Sequence, residues 1–408
     1  MKTPTVGNPF RPGAGHAPPF LAGRQTETAE FGGLLGQSPI LENVILTGLR
    51  GVGKTVLLET FKPLAFSNNW LWVGADLSES SSISESNLAV RLITDLSVVT
   101  SGIIIGEERV ARVGFNVEAG RVAQALDYNA LLSVWNSTNG LASDKLKAVL
   151  ELTWQFIEPL DKAGMVFAYD EAQNLSDHAG RHEYPLSLLL DVFQSIQKKG
   201  IPFMLVLTGL PTLFPKLVES RTYSERMFHQ IFLDRLDESA TGEAIMKPIR
   251  ESATWVTIAQ QSVHGIFEIT RGYPYFVQYV CRELYDVWTQ QAKAGEDIRP
   301  VPLEGIMRKL DSDFFSGRWA RATDRQRDLM WVIAQLKNCE SEFTVQDILK
   351  QAQLASIKPF GQSQVSQMLL ALCTAGLVYK NRWGKYSLAV PLLDKFILRQ
   401  MPTLDGTT

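Results

Sequence analysis

Short apolar runs alternate with longer amphipathic stretches between residues 44 and about 236. This pattern predicts short strands separated by helices, and it gives way to helical periodicity alone after residue 236. Strands that alternate with helices form parallel sheets covered by helices on both faces, so we predict an α/β fold with a parallel-sheet core. The predicted strands are 43–47, 70–75, 165–169, 203–208 and 230–233, and two of the predicted helices are 54–61 and 187–198.

The chain divides into four predicted parts. Residues 1–27 are an N-terminal strap, because the first 20 residues hold five prolines and cannot be helical. Residues 28–236 are the core, in which 100–144 fits the pattern poorly and is interpreted as an insertion of unknown role. Residues 237–312 are helical throughout. Residues 313–402 combine three amphipathic helices with the hairpin sequence GLVYKNRWGKYSLAV, which is typical of a winged helix.

Length and composition narrow the class of protein. The 408 residues exceed one compact core and predict two or three domains. Hydrophobic residues make up 45% and charged residues 20%, which excludes a mainly disordered chain. The formal net charge of -3 gives no overall electrostatic signal for nucleic acid. Because no apolar run is near the ~18 residues that span a membrane, we expect a soluble, cytoplasmic protein with no membrane partner.

Residues 48–55, Gly-Leu-Arg-Gly-Val-Gly-Lys-Thr, fit the pattern G-x-x-x-x-G-K-[ST] between a predicted strand and a predicted helix. Glycines let the main chain curl around an anion, and the helix that begins near Lys54 points its positive end at the same place. Lys54 is predicted to reach the β- and γ-phosphates, and the Thr55 hydroxyl to bind Mg²⁺. A plain glycine-rich turn is the alternative. The predicted phosphate-binding loop (P-loop) comprises Gly48, Gly51, Val52, Gly53, Lys54 and Thr55.

An acidic pair, Asp170 and Glu171, follows the predicted strand 165–169. Nucleotide hydrolysis needs a carboxylate for the metal and a group that orients or deprotonates the attacking water. We predict that Asp170 holds Mg²⁺ and that Glu171 is the general base. Such a pair also caps helices, but together with the P-loop it favours hydrolysis.

Two further side chains are candidates for the same reaction. Thr208 ends the predicted strand 203–208, where its hydroxyl could bond the γ-phosphate or the attacking water; a plain turn threonine is the alternative. Arg226, preferred over Arg221, precedes the next strand. A guanidinium there could stabilise charge on the transferred phosphoryl group, in its own subunit or in a neighbour, and a surface arginine is the alternative.

With these motifs the chain resembles the AAA+ ATPases, in particular the branch of origin-recognition and replication-initiation ATPases and STAND signalling ATPases. The stretch FLAGRQTE, residues 20–27, resembles an element of that family that closes over adenine, which implies nucleotide contact for Arg24. Gly272-Tyr273-Pro274 resembles the STAND Gly-x-Pro motif, at which a lid helix starts beside the nucleotide, and this implies such a place for Pro274. The resemblance also implies that 237–312 is a lid. The position of Arg271, before that motif, leaves a phosphate-directed role for it unsupported.

The C-terminal part differs in charge from the whole chain. Residues 320–402 contain eleven Lys and Arg against six Asp and Glu, a net +5. Lys380, Arg382 and Lys385 in the predicted hairpin suit contacts with DNA phosphates. The third helix of this part begins with polar side chains but has no Lys or Arg, and winged helices also dock proteins. DNA contact and protein docking both stay open.

We therefore predict an ATP-binding and slowly ATP-hydrolysing molecular switch, with Mg²⁺, whose nucleotide state controls the lid and the winged helix. A homo-oligomer or a complex with an effector protein is expected, and the resemblance alone implies a setting in prokaryotic defence or a mobile element. The alternative is a DNA-binding initiator or loader-like ATPase in replication or transposition. A nucleotide-binding scaffold without turnover is a third hypothesis.

Overall fold

The structure is a computed structural model that describes residues 7–13, 15–110, 120–252, 254, 256–295, 303–355, 357–382 and 384–401. They form two compact units. The sheet unit contains residues 26–47 and 57–232. The helical unit contains the chain up to Gln25, the P-loop segment Gly48–Val56, and the chain from Leu233 onward.

The five core strands that the sequence predicts occur in the predicted order along the chain. The strands are β1 (Asn43–Gly48), β2 (Trp70–Asp76), β3 (Ile104–Val110), β4 (Gly120–Ala125), β5 (Gly164–Asp170), β6 (Phe203–Gly209), β7 (Phe228–Leu233), β8 (Val378–Arg382) and β9 (Lys385–Leu388). The helices are α1 (Gln25–Leu35), α2 (Lys54–Ser67), α3 (Glu85–Thr100), α4 (Tyr128–Ser137), α5 (Ala142–Ile157), α6 (Pro185–Lys198), α7 (Leu213–Ser220), α8 (Ser224–Met227), α9 (Glu238–Glu251), α10 (Gln260–Thr270), α11 (Pro274–Lys293), α12 (Leu303–Leu310), α13 (Ser316–Trp319), α14 (Asp324–Ala334), α15 (Val345–Leu354), α16 (Gln362–Thr374) and α17 (Leu393–Gln400).

The sheet unit is built on a five-stranded sheet in the order β2-β5-β6-β1-β7. The neighbours β2 and β5, β5 and β6, and β6 and β1 are parallel. Every residue of β1, β5 and β6 is buried, as expected for strands whose two faces are both covered. Each predicted strand corresponds to an observed one within two residues at either end, and the predicted α/β sheet is confirmed.

The core of the sheet unit is apolar and aromatic. The Phe167 ring of β5 lies 5.0 Å from the Phe193 ring of α6 and 5.3 Å from the Phe203 ring of β6, between centroids. Phe31 of α1 stacks on Phe61 of α2 at 4.2 Å. The Phe167–Phe193 pair fixes α6 against the sheet, and the Phe31–Phe61 pair fixes α1 against α2.

The predicted insertion 100–144 has structure of its own. β3 and β4 pair as an antiparallel ribbon, and α4 follows. Residues 111–119, between the two strands, lie outside the described part of the chain. An antiparallel ribbon of two successive strands breaks the alternation of strands and helices, which is why the pattern fitted this region poorly.

Hydrogen bonds join the described part of the strap to α11. The Asn8 side-chain amide donates to the Arg282 carbonyl at 2.9 Å and to the Asp286 carboxylate at 2.8 Å. The Arg11 main-chain N–H donates to the Gln278 side chain at 3.2 Å, and Phe10 is buried. The strap therefore lies along α11.

The remainder of the helical unit consists of helices and one hairpin. A π-helical turn, Asp311–Phe315, joins α12 to α13 without a break, so the predicted boundary at 312/313 falls inside a continuous helical segment. The C-terminal module is here defined as α14–α17 with the β8–β9 hairpin; the three helices and hairpin are present, and α17 was not predicted. Its assignment as a winged helix stays a prediction.

None of the described helices is long and apolar enough to cross a membrane.

Candidate functional site

The P-loop connects β1 to α2. β1 ends at Gly48 and α2 begins at Lys54. Gly51 and Gly53 have φ angles of 80° and 94°, which side chains other than glycine rarely adopt. The Lys54 ammonium donates to the main-chain carbonyls of Gly48 at 3.0 Å and Leu49 at 2.9 Å. The ammonium is thus already held over the curled main chain at which a phosphate would bind.

The strap contacts the P-loop at two places within the helical unit. A Cβ placed on Gly15 would lie 3.5 Å from the Thr55 methyl group, so the strap passes beside the predicted Mg²⁺ ligand. The buried Arg24 guanidinium donates to the Val52 carbonyl at 3.0 Å and to the Asp234 carbonyl at 2.6 Å. Arg24 therefore holds the main chain of the loop, and the direct nucleotide contact implied by the resemblance stays a prediction.

The first turn of α11 also bonds to the P-loop. α11 begins at Pro274, and the next main-chain N–H, that of Tyr275, donates to the Gly51 carbonyl at 3.2 Å. Gly272, at φ 72°, lies so close to the Leu236 carbonyl that an added Cβ would be 2.0 Å from its oxygen. The Gly-x-Pro segment thus turns the chain tightly and starts a helix at the loop.

The acidic pair lies at the carboxyl end of β5. Asp170 is 5% exposed, and its carboxylate accepts a 2.7 Å hydrogen bond from the Glu171 main-chain N–H. Glu171 is exposed and occupies the left-handed region at φ 53°. Its side chain makes no capping bond to the short helical turn that follows. The capping alternative is therefore not supported for Glu171.

Thr208 lies on the strand next to Asp170. β6 is the neighbour of both β5 and β1, and Leu207 pairs with Tyr169 while Thr208 pairs with Leu46. The carboxyl ends of these parallel strands therefore lie at one edge of the sheet. Thr208 is fully buried and its hydroxyl has no hydrogen-bond partner among the described residues. A buried polar group without a partner fits a site whose ligand or water completes it.

One residue of this region was missed by sequence reasoning. The Gln173 side-chain NH₂ donates to the Glu171 carboxylate, and its carbonyl oxygen accepts a 3.1 Å bond from the Leu210 main-chain N–H. The only local signal was a polar residue two positions after the predicted base.

The two candidate arginines have different surroundings. Arg221 donates to both carboxylate oxygens of Asp191, at 2.9 and 2.7 Å, so its charge is already paired. Arg226 lines a cavity of about 480 Å³ together with Leu41 and Gly200, which precede β1 and β6. Arg226 is therefore at the edge of the sheet opposite to the carboxyl ends of those strands. Within its own subunit it is remote from Asp170, and only the role in a neighbour's site stays a prediction.

The basic residues of the C-terminal module are only partly described. Lys380 is exposed on the first strand of the hairpin and Lys385 is half-buried on the second, while the side chain of Arg382 and all of Trp383 lie outside the described residues. Arg271 makes ion pairs of 2.5 Å with Glu340 and 2.9 Å with Asp394. Its guanidinium thus binds this module, in line with the lack of support for a phosphate-directed role.

Comparison with solved structures identifies the fold. A Walker-type ATPase of Pyrococcus abyssi is similar over 92% of this chain and 96% of its own, with 16% identity and a TM-score of 0.56. The ORC2 protein of Aeropyrum pernix in its ADP form is similar over 95% of this chain and 97% of its own, with 13% identity and a TM-score of 0.54. The chain has the AAA+ P-loop ATPase fold. The same ORC2 protein in ADPNP and ADP complexes gives a TM-score of 0.50 at 14% identity, over 95% of this chain and 97% of its own.

Sequence comparison adds one match at the C-terminal end of the chain. A protein-family model described as a domain of unknown function, DUF8462, matches residues 312–397. The match begins in the π-helical turn and covers most of the C-terminal module. No curated protein sequence matches the chain.

Proposed function

We propose that the chain binds ATP with Mg²⁺, hydrolyses it, and acts as a switch whose nucleotide state changes the arrangement of the helices that contact the P-loop. The order of strands carries the proposal. Asp170 and Thr208 lie at the carboxyl ends of β5 and β6, and the P-loop leaves the carboxyl end of β1, the next strand in the same sheet. A phosphate cradle, an acidic pair and a buried orphan hydroxyl then meet the needs of phosphoryl transfer to water.

Each residue has a role in this reaction. The Lys54 ammonium exchanges its two carbonyl partners for phosphate oxygens, which neutralises charge on the β- and γ-phosphates. Thr55 and Asp170 would hold Mg²⁺, which commonly takes only one or two protein ligands besides phosphate oxygens and water, and the metal would neutralise developing charge. Glu171 orients or deprotonates the attacking water, and the Thr208 hydroxyl accepts or donates a bond at the γ-phosphate or that water.

The contacts of α11 support a switch. Its first turn bonds to Gly51, so a change of ligand in the P-loop acts directly on this helix. The residue before the Gly-x-Pro segment, Arg271, is bonded to Asp394 of α17. ATP and ADP differ by one phosphate and can favour different arrangements of these helices only through contacts of this kind.

The test separates binding from turnover. Lys54→Ala is expected to weaken ATP binding itself, because the ammonium is lost from the cradle. Glu171→Gln is expected to bind ATP as wild type does and to release no phosphate, since the amide cannot accept the proton of water. Glu158→Gln, an exposed carboxylate on another turn, is the matched control. Wild-type phosphate release by Glu171→Gln would contradict hydrolysis at this site and favour the scaffold without turnover.

A DNA-binding initiator or loader-like ATPase is the second candidate, and the net +5 of residues 320–402 favours it. Duplex binding that weakens with salt, and weakens further when Lys380, Arg382 and Lys385 are changed to Glu, would support this candidate. Binding that is absent or unaffected by those changes would favour a switch that docks a protein.

Arg226 belongs to the proposal of an ATP-dependent switch, as a residue of a neighbouring subunit's site. This role predicts an ATP-dependent homo-oligomer or effector complex.

A further inference from the structure

The side chain of Gln173 joins two segments of the sheet unit. Its NH₂ group donates to the Glu171 carboxylate, and its oxygen accepts the 3.1 Å hydrogen bond from the Leu210 N–H. Leu210 comes directly after β6 and two residues after Thr208. One amide group therefore bonds both the segment that carries the proposed base and the segment that carries Thr208.

The orientation of this amide follows from its partners. A main-chain N–H can only donate, so the oxygen of Gln173 must face Leu210. Its NH₂ group must then face Glu171, and an ionised carboxylate can only accept. If the amide were rotated by half a turn, its NH₂ group would face a donor and its oxygen would face an acceptor. Gln173 is thereby committed to donating to Glu171.

The surroundings hold Gln173 in this place. The Lys216 ammonium of α7 donates to the Gln173 main-chain carbonyl at 2.7 Å, and burial lowers the pKa of Lys216. The Gln173 oxygen also lies so close to Gly209 that a Cβ there would be 2.6 Å away. A side chain packed against main chain at one end and bonded at both ends of its amide has little freedom to move.

We propose that Gln173 is the positioning residue for the hydrolytic step. It restrains one oxygen of the Glu171 carboxylate, leaves the other oxygen for the attacking water, and fixes that carboxylate relative to the strand end that carries Thr208. This inference rests on the proposed function, since it assigns a task to Gln173 only if Glu171 acts as the base. Gln173 acts through its hydrogen bond to Glu171.

Gln173→Ala tests the restraint. We expect kcat for ATP hydrolysis to fall about 10- to 100-fold, the usual range for residues that orient a reacting group, while KM and the Kd for ATP change less than about twofold. Gln194→Ala, a half-buried glutamine on α6, is the matched control and is expected to leave both constants unchanged. A fall in ATP affinity without a fall in kcat would overturn the proposal.

Gln173→Glu separates positioning from simple structural support. An ionised glutamate still accepts from the Leu210 N–H but cannot donate to Glu171. If Gln173 only supported the loop, this variant would restore kcat; we expect it to be as slow as Gln173→Ala. Gly209→Ala should displace the same amide without altering Gln173, and should lower kcat likewise. A wild-type rate in Gln173→Glu would overturn the inference.

Phosphate release by the two single variants distinguishes failure of this inference from failure of the proposed function. If Gln173 acts through Glu171, Gln173→Ala should slow phosphate release and Glu171→Gln should abolish it. Wild-type turnover in Gln173→Ala, with Glu171→Gln inactive, overturns the inference alone. Wild-type turnover in Glu171→Gln overturns the proposed function and this inference with it.

Discussion

Arg271 and Asp394 form a two-bond ion pair, with guanidinium-to-carboxylate distances of 3.2 and 2.9 Å. Arg271 ends α10 in the left-handed region at φ 50°, and Asp394 is a buried residue of α17. Two other charged residues of α17 also bind helices that precede the C-terminal module: Lys395 donates to the Glu268 carbonyl, and Arg399 to the Asp311 carboxylate. α17 is thus the clamp between this module and the preceding helices.

Arg271→Ala should destabilise the chain. The change leaves the Asp394 carboxylate buried without its main cation, and such losses cost about 3 kcal/mol. Urea unfolding measures this loss of unfolding free energy relative to the wild type. Arg235→Ala is the control: Arg235 pairs with Glu340 at 3.8 Å and is 47% exposed, so its loss should cost less than about 1 kcal/mol. Equal effects of the two variants would contradict the clamp.

Gly272→Ala should lower the free energy of unfolding far more than Gly295→Ala does. The two glycines share a φ angle, 72° and 71°. A Cβ at Gly272 would be 2.0 Å from the Leu236 carbonyl oxygen, whereas nothing lies within 4 Å of one at Gly295. The strain of the left-handed region alone is about 1 kcal/mol, and the collision at Gly272 adds at least as much again. The loss of unfolding free energy in the two variants should therefore differ at least twofold.

Arg24→Ala should weaken ATP binding through the P-loop main chain. The guanidinium holds the carbonyls of Val52 and Asp234, and without it the loop loses its fixed shape. We expect the Kd for ATP, measured by calorimetry, to rise about 10-fold or more. Arg11→Ala alters an exposed strap residue that bonds α11 through its main chain, and should leave the Kd unchanged. An unaltered Kd in Arg24→Ala would contradict the role of Arg24 in holding the P-loop main chain.

Asp347→Asn should remove a pH-dependent part of the stability. The side chain and main chain of Thr344 donate to the Asp347 carboxylate at 2.7 and 2.8 Å, and these bonds hold the pKa of Asp347 below its ordinary value. A lowered pKa means that the stabilisation is present above about pH 4 and is lost as the pH falls through the folded value. The free energy of unfolding of the wild type should exceed that of Asp347→Asn by about 1 kcal/mol at pH 6. This difference in unfolding free energy, measured by urea unfolding at several pH values, should shrink toward pH 3. A difference that does not change with pH would contradict the role of the Asp347 carboxylate.

The sheet and the P-loop could be predicted because their signals are local. β5 and β6 are short runs in which every residue is buried, and the spacing of glycines with Lys54 and Thr55 stands between a strand and a helix. The order of the strands could not be predicted, since the residues that pair, such as Thr47 and Gly209, are far apart in sequence.

The parts that were missed depend on distant partners. α17 has charged residues whose partners lie 88 to 127 residues earlier, and no local pattern reveals such pairs. Gln173 likewise bonds Leu210, 37 residues on. Arg226 could be found as a basic residue before a strand, but its place at the opposite edge of the sheet follows only from the folded neighbours Leu41 and Gly200.

The division of the chain has a consequence for its synthesis. The sheet unit is complete once Phe232 has left the ribosome, whereas the strap and the P-loop belong to a unit whose remaining residues begin at Leu233. Asn8 gains its partner only when Arg282 has been made, and the Gly51 carbonyl only when Tyr275 has been made. A nascent chain therefore carries its sheet unit before the helices that bond to the strap and the P-loop have been made.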